Sequence, residues 1–144
     1  MGVLEEILPG VYTTTLSQIH TDNGAVYHGI KRSDSTYSGF GEAYFSFVDF
    51  GKFKGWKKHS RMTLNLIVPV GCVGVYIHSE TLAITKYVEI GPTNYKRITV
   101  APGYWVCFTG KNKGQNVVLN FANIAHDPNE SVNKALDEIP LCGY

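Results

Sequence analysis

Short segments of alternating apolar and polar residues, each long enough for one β-strand, recur along the chain. In residues 42–48, Phe45 and Phe47 fall on one face and Glu42, Tyr44 and Ser46 on the other, since neighbouring strand side chains point in opposite directions. We expect the two phenylalanines to face the core. Patterns of this kind predict nine strands, at residues 10–17, 27–31, 42–49, 62–70, 72–78, 83–90, 97–100, 105–109 and 117–124.

Glycines separate these segments at the short intervals expected of tight turns, which is typical of an all-β sandwich or barrel. Only the tail has a helical pattern. Asp127 offers an N-cap and Pro128 suits the first helical position, so we expect a short C-terminal helix that ends before Pro140. No linker or internal repeat divides the chain. The prediction is an all-β antiparallel sandwich with a short C-terminal helix, in a single domain spanning residues 1–144.

The composition is that of a globular protein, with 44% hydrophobic and 17% charged residues among 144. Lys and Arg number 13 against 12 Asp and Glu, and this net charge of +1 argues against nucleic acid or a membrane surface as a partner. No apolar run is long enough for a membrane helix, and Glu5 and Glu6 are unlike a secretory signal. Cys72, Cys107 and Cys142 lack paired spacing, so we expect free thiols and a cytoplasmic location.

The spacing of five residues resembles the first sequence motif of the cupins; they are Gly51, Lys57, His59, Thr63 and Gly71. In that motif a second His stands at position 57 and a Glu at position 63, and a later motif adds a His where this chain has Val106. The resemblance implies a cupin-type jelly roll. Because zinc and iron normally need three or more protein ligands and His59 alone is kept, we expect no metal and no other cofactor.

Residues 42–57 resemble, without a gap, the stretch Q-x-N-x-S-x-S-x-x-G-x-x-R-G-L-H of the dTDP-4-keto-6-deoxyglucose (dTDP-4-dehydrorhamnose) 3,5-epimerases. Ser46, Gly51 and Gly55 are identical, and Lys54 keeps the positive charge of the Arg. Further similar segments follow the family order, at residues 8–11, 22–24, 101–108, 126–130 and 137–140. The resemblance implies isomerisation of a nucleotide-activated 4-keto-6-deoxy sugar for surface polysaccharide, and a homodimer in which the N-terminal strand joins a neighbour's sheet.

Several catalytic positions of that family are occupied by other residues. Lys57 replaces the general base of R-G-L-H, Val106 replaces a second His, and the catalytic Tyr falls near Asn120. Epimerisation beside a ketone needs a base and an acid within reach of the carbon. A metal-independent isomerase and a non-catalytic cupin that binds a sugar or nucleotide sugar are therefore both open. A second proton-transfer group facing Lys57 across the pocket would distinguish them.

Four residues are candidates for moving protons: Lys57, His59, Glu42 and Tyr44. Lys57 can act as a base only if the barrel interior desolvates it into the neutral amine; otherwise it is a cation paired with Glu42 or with a phosphate. His59 is a base, a phosphate contact or a core histidine. Glu42 contacts Lys57 or sugar hydroxyls, or is itself an acid or base.

Five residues are candidates for binding the substrate: Lys54, Ser46, Asn65, Trp105 and Asn120. Lys54 is either a phosphate-binding group or a solvated surface lysine. Asn65 and Asn120 interrupt apolar strands, as pocket-lining groups or as strand-end caps. Trp105 either stacks on a nucleobase or packs in the core. Lys54 and Lys57 would face opposite ways on a regular strand, so both reach one ligand only if Gly55 permits a bulge.

Overall fold

The computed structural model describes residues 2–141, so the prediction for Cys142 lies outside the described residues. The described part is built of short β-strands and one 3₁₀ turn at Leu136–Glu138. The strands are β1 (Leu4–Leu8), β2 (Val11–Thr15), β3 (Gln18–Thr21), β4 (Gly24–Tyr27), β5 (Glu42–Phe47), β6 (Phe53–His59), β7 (Leu64–Val70), β8 (Val73–Ser79), β9 (Ile84–Ile90), β10 (Lys96–Val100), β11 (Trp105–Gly110), β12 (Val117–Ala122) and β13 (Ser131–Asn133).

Two antiparallel sheets face each other across the main core. The six-stranded sheet has the order β1-β2-β10-β7-β12-β5, the five-stranded sheet has the order β13-β6-β11-β8-β9, and β3 and β4 form a separate hairpin. Val11, Leu66 and Ile98 project inward from the first sheet, and Val75 and Ile77 meet them from the second. The predicted all-β antiparallel sandwich of the cupin type is confirmed. Within residues 2–141 there is no helix with the length and apolar character needed to span a bilayer.

Eight of the nine predicted strands are present, with ends displaced by at most two residues. The strand predicted at 27–31 is wrong, because β4 ends at Tyr27 and residues 28–41 run irregularly. The sequence pattern does not predict β1, β3, β4, β6 and β13. In β6 the sequence Phe-Lys-Gly-Trp-Lys-Lys-His lacks alternation because the strand contains a bulge, so its apolar and polar residues fall out of period.

The side chains of β5 alternate as predicted, but the prediction that Phe45 and Phe47 face the core is wrong. Phe45 and Phe47 are 62% and 53% exposed, whereas Tyr44 and Ser46 face inward. The inner face here borders a cavity rather than packed side chains, so the polar positions of the strand turn inward. Burial of apolar groups alone would have favoured the opposite orientation.

The tail does not begin a helix at Asp127. Residues 127–130 form a turn, closed by the Glu130 N–H donating to the Asp127 carbonyl at 3.1 Å, and β13 and the 3₁₀ turn follow before Pro140. Trp56 holds this tail, because its Nε1 donates to the carbonyls of Leu136 and Ile139, both at 3.3 Å. A second apolar cluster lies beneath the tail, on the outer face of the five-stranded sheet: Trp56, Tyr76, Trp105, Cys107 and Ile139.

Residues 28–41 cross the outer face of the six-stranded sheet and are held there by the buried Arg97. Its guanidinium donates to the Gly29 carbonyl at 2.6 Å and to Thr36 Oγ1 at 3.0 Å, and it pairs with Asp34 at 3.3 Å. Burial lowers the pKa of Arg97, and the Asp34 carboxylate opposes that effect. The segment therefore packs on β10 through Arg97 and reaches Phe121 of β12 through Tyr37 and Phe40, whereas Phe45 and Phe47 of β5 stay exposed.

Two glycines have left-handed backbone, but a side chain would clash with neighbouring atoms at only one of them. Comparing the two distinguishes the energetic cost of a Cβ in that conformation from the cost of a steric clash. Gly71 (φ 86°) and Gly51 (φ 72°) both have positive φ, but a Cβ at Gly71 would lie 2.2 Å from the Gln115 carbonyl oxygen, while one at Gly51 would meet nothing within 4 Å. We expect Gly51→Ala to lower the free energy of unfolding by about 1–2 kcal/mol. Gly71→Ala should lower it by about 1–3 kcal/mol more, since the backbone must also move.

Urea denaturation of the two variants beside the parent protein measures the difference. Equal losses of stability would contradict the close approach between Gly71 and Gln115.

Candidate active site

A cavity lies between the two sheets, at the end where β5 and β6 face each other. One wall belongs to the six-stranded sheet and the other to the five-stranded sheet. The lining residues are Tyr44, Ser46, Lys54, Gly55, Lys57, His59, Leu64, Leu66, Val106, Phe108, Val118 and Asn120. The cavity thus brings together six of the nine candidate residues: Tyr44, Ser46, Lys54, Lys57, His59 and Asn120. The apolar residues beside them limit the water that reaches the polar groups.

His59, at the end of β6, forms a hydrogen-bonded pair with Glu130 from the turn before β13. His59 Nδ1 lies 2.6 Å from Glu130 Oε1, and their side chains are 12% and 1% exposed. Because an ionised carboxylate can only accept a hydrogen bond, the proton of this contact lies on Nδ1. In the neutral ring this leaves the lone pair on Nε2, which can accept a proton from a molecule in the cavity.

The Glu130 carboxylate is fixed by more than His59. Its Oε2 accepts hydrogen bonds from the backbone N–H groups of Arg61 and Met62, each at 2.9 Å. Burial by itself raises the pKa of Glu130, but the hydrogen bonds from His59 and from the two N–H groups outweigh burial and lower it. The residue is therefore an ionised carboxylate at neutral pH that sets the orientation of the imidazole.

Tyr44 projects into the cavity from β5, on the wall opposite β6. Its hydroxyl accepts a hydrogen bond from Asn120 Nδ2 at 2.9 Å and lies 3.9 Å from Met62 Sδ. Asn120 is itself held by the Asn65 N–H, which donates to its Oδ1 at 3.1 Å. Since a thioether is a weak acceptor, the phenolic proton of Tyr44 remains available to a ligand.

A β-bulge explains how Lys54 and Lys57 line the same wall. Lys57 pairs with Val106 and Lys54 with Phe108, so three steps along β6 match two steps along β11. The extra residue reverses the alternation between them, which is the arrangement that the two lysines need to share one ligand. Neither ammonium group has an ion pair or hydrogen bond with another described residue. Both lysines are exposed, so the burial on which a role for Lys57 as a base depends is absent.

Three candidate residues do not line the cavity: Glu42, Asn65 and Trp105. Glu42 accepts a hydrogen bond from the His126 N–H at 2.8 Å instead of pairing with Lys57. Asn65 is buried on the other face of β7, where its Oδ1 accepts from Thr99 Oγ1 at 2.6 Å. The family register predicts Glu42 in the site, and the polarity of Asn65 in an apolar strand predicts it there, but partners distant along the chain use their polar groups instead.

Trp105 points to the outer face of the five-stranded sheet. Its indole N–H donates to Glu80, and Lys58 and Lys134 lie over its ring at 5.1 and 4.8 Å from the centroid. The indole face is therefore covered by two cations and not open to a nucleobase. Of the two readings of Trp105, packing is the one that the structure supports.

Glu130 is the functional residue that sequence reasoning missed. Residues 126–130 resemble the family's closing turn, but nothing in a single sequence pairs residue 130 with residue 59. Among the described residues, no three His, Cys, Asp or Glu side chains are grouped in a way that could hold a metal ion.

Comparison with solved structures shows which proteins share this architecture. A scan against protein-family models and a search of curated proteins return no match. A dTDP sugar isomerase from Desulfovibrio desulfuricans G20 is 32% identical, with a TM-score of 0.90 over 96% of this chain and 92% of that chain. A dTDP-4-dehydrorhamnose 3,5-epimerase from Sulfolobus tokodaii is 16% identical, with a TM-score of 0.84 over 98% of this chain and 86% of that chain.

A third similar structure is the 3,4-ketoisomerase from Thermoanaerobacterium thermosaccharolyticum in complex with TDP-4-keto-6-deoxyglucose. It is 18% identical, with a TM-score of 0.76 over 92% of this chain and 96% of that chain. At identities of 16% and 18%, the second and third similarities establish the shared fold. The first, at 32% over nearly the whole of both chains, also establishes common family membership.

The Glu130 carboxylate makes stability depend on pH. Because its pKa is lowered in the folded protein, its contribution is complete above the ordinary value of 4.5 and is lost as pH falls through the folded value. We expect Glu130→Gln to lower the free energy of unfolding at pH 7 by about 1.5–3 kcal/mol, since an amide cannot replace all the acceptors. Chemical denaturation should show this difference shrinking at pH 3.5.

Asp127→Asn is the matched control on the same turn. Its pair with Arg61 is exposed, so we expect a change of about 0–1 kcal/mol. A Glu130→Gln variant as stable as the Asp127→Asn variant at pH 7 would show that the buried carboxylate does not hold the turn.

Proposed function

Because the chain belongs to the family of dTDP-sugar isomerases and epimerases, we propose that it isomerises a nucleotide-activated 4-keto-6-deoxy sugar by metal-independent proton transfer beside the ketone. The pair formed by His59 and Glu130 carries this proposal, because it presents a basic ring nitrogen to the cavity. We also propose that the product serves surface-polysaccharide biosynthesis in the cytoplasm. The free thiols of Cys72 and Cys107 support a reducing compartment.

His59 is the general base in this proposal. Its Nε2 takes the proton from the carbon next to the ketone, and the electron pair of that C–H bond forms an enolate on the ketone oxygen. Glu130 keeps the ring in the required tautomer and stabilises the imidazolium that forms. The position of the base has thus moved from residue 57, where the family motif places it, to residue 59 on the same wall.

Tyr44 is the proposed acid. It lies on the opposite wall, so a proton delivered from its hydroxyl reaches the opposite face of the enolate and inverts the carbon. The resulting tyrosinate and imidazolium return to their starting states by exchanging one proton through solvent. Asn120, near which the family's tyrosine falls, positions the Tyr44 hydroxyl by donating a hydrogen bond to it.

Lys54 and Lys57 are the proposed binding groups for the diphosphate. Two unpaired ammonium groups at the same wall match a ligand with two adjacent negative phosphates. Lys57 also lies two residues from His59 on that wall, where its charge stabilises the negative oxygen of the enolate. Ser46 adds a hydroxyl for a sugar or phosphate oxygen.

The alternative function is a nucleotide-sugar-binding cupin that has lost its proton-transfer groups. It requires a cavity with no second titratable group across from the lysines. Tyr44 stands in that place, which favours catalysis over binding alone.

Incubation with a panel of 4-keto-6-deoxy nucleotide sugars in deuterated water tests the reaction directly. We expect the parent protein to incorporate deuterium at C3 or C5, and His59→Asn to lower the rate by about 100-fold or more. Tyr44→Phe should lower the yield of inverted product more than it lowers exchange, because the base remains. NMR and mass spectrometry measure both quantities.

Ligand binding without exchange by the parent protein would support the binding function instead. Unchanged exchange in His59→Asn would remove His59 as the base, with Lys57→Ala the next variant to assay.

The role of Lys54 is tested by ligand affinity. Lys54→Ala should weaken binding of dTDP by about 10-fold to 150-fold, the loss of a charge-assisted hydrogen bond worth about 1.5–3 kcal/mol. Lys52→Ala is the control, since Lys52 is an exposed lysine beside the same strand that does not line the cavity. Isothermal titration calorimetry at fixed salt gives both values. Equal affinities for the two variants would refute a direct phosphate contact by Lys54.

A further inference from the structure

Two buried side-chain atoms on the outer face of β2 and β10, Thr14 Oγ1 and Arg97 Nε, have no hydrogen-bond partner within the described part of the chain. Thr14 of β2 lies directly opposite Arg97 of β10, so the two side chains stand next to each other on one face of the sheet. A buried polar atom without a partner is costly, and most such atoms in folded proteins are satisfied. Two of them side by side therefore indicate a place where a third group binds.

The positive charge of Arg97 is only partly compensated by its protein partners. The side chain is 1% exposed, and the Asp34 carboxylate lies at 3.3 Å, longer than the roughly 2.7–2.9 Å of a close charge-assisted hydrogen bond. Its other two partners, the Gly29 carbonyl and the Thr36 hydroxyl, are neutral. A buried cation is stable only when polar or anionic groups replace its lost hydration. The Nε–H group donates to none of these partners, so it is the side of the guanidinium that still needs an acceptor.

Two adjoining clefts lie beside these atoms, between the sheet and the segment formed by residues 28–41. Their volumes are about 130 Å³ and about 260 Å³. The residues common to both clefts are Gly2, Thr14, Lys31, Asp34 and Arg97. One bridging water needs only about 10–15 Å³ of such space, so there is room here for a larger polar molecule.

Lys31 gives the clefts an excess of positive charge. Its ammonium group forms no ion pair with another described residue. Asp34 is the acid that lines both clefts, and its Oδ2 is already shared between the Arg97 guanidinium and the Lys31 backbone N–H, which donates to it at 3.0 Å. Two cations thus face one carboxylate. The groups without a protein partner, on Arg97, Thr14 and Lys31, can all donate to an oxygen atom.

We propose that these clefts form a binding site for a small tetrahedral oxyanion of the phosphate class, which we name the Arg97 site. The oxygens of the anion accept hydrogen bonds from Arg97 Nε, the Thr14 hydroxyl and the Lys31 ammonium. Arginine and lysine suit phosphate because their donors carry positive charge. A neutral ligand would satisfy the hydrogen bonds but leave the excess charge uncompensated. The site lies outside the six-stranded sheet, whereas the cavity of the proposed reaction lies between the two sheets.

An anion in the Arg97 site would fasten residues 28–41 to the sheet. Lys31 belongs to that segment, whereas Thr14 belongs to β2 and Arg97 to β10, so one anion joins the segment to both strands. A ligand that binds only the folded chain raises its stability by mass action. The site therefore makes the stability of this protein depend on the concentration of the oxyanion.

Nuclear magnetic resonance of the unmodified protein tests the site directly. The arginines of the chain are Arg32, Arg61 and Arg97, so replacing the first two in turn assigns the three Hε–Nε signals. Inorganic phosphate at millimolar concentration, titrated at constant ionic strength against chloride, should move the Arg97 proton signal downfield along a saturating curve. An Arg97 signal that stays fixed, or that chloride moves equally, would overturn the proposal.

Thr14→Val and Lys31→Ala test the other two contacts. Each should weaken phosphate binding by about 10-fold or more, the loss of one hydrogen bond to a charged group. Thr14→Val keeps the side-chain shape and removes a hydroxyl that has no protein partner, so the variant should fold as the parent does. Arg32→Ala is the control, because Arg32 is an exposed cation beside Lys31 that lines neither cleft. Unchanged affinity in both test variants, or an equal loss in Arg32→Ala, would refute the site.

A final variant separates the Arg97 site from the cavity, where Lys54 and Lys57 also attract phosphate. In Lys54→Ala the Arg97 signal should respond to phosphate as it does in the parent protein. Loss of the response in that variant would mean that phosphate acts from the cavity, and it would overturn the proposal. None of these measurements depends on whether the protein isomerises a sugar.

Discussion

The buried carboxylate of Glu130 is the constraint on which the site depends. A charged group with almost no exposure is stable in a fold only when hydrogen bonds replace its lost hydration. Here His59 and two backbone N–H groups provide them, and the same contacts bind the C-terminal turn to the end of β6. Satisfying the carboxylate therefore does two things at once. It closes the tail over the sandwich, and it fixes the imidazole with one nitrogen free for chemistry.

The lining of the cavity depends on how side chains alternate along β5 and β6, and on the bulge that interrupts this alternation in β6. A regular strand would send Lys54 and Lys57 to opposite faces, and one extra residue opposite β11 brings both to the inner wall. On the facing wall β5 keeps a regular period, so its polar residues reach the cavity only by exposing Phe45 and Phe47. The apolar surface outside is thus the direct consequence of the polar surface inside.

In the proposed mechanism the family's chemistry is kept while the residues that perform it change. The resemblance places the family's base at Lys57 and its acid near Asn120, and neither residue fits the original role. The proposed replacements, His59 and Tyr44, lie next to these positions in space, on the same strand and on the neighbouring strand. Proton transfer depends on where the titratable atoms stand relative to the substrate. A cavity walled by several strands offers more than one backbone position from which to reach that point.

The sequence by itself determined the strand-rich architecture, the boundaries of eight strands and six of the cavity residues. These depend on local patterns of two-residue period, on glycine turns and, for most of the cavity residues, on the resemblance of residues 42–57 to the family motif. Tertiary structure alone decided the pairing of His59 with Glu130, the inward turn of Tyr44 and the outward position of Trp105. It also decided that residues 127–130 form a turn instead of a helix. Each of these outcomes depends on a partner distant along the chain, and a linear pattern carries no information about which distant group will satisfy a buried charge or cover an apolar face.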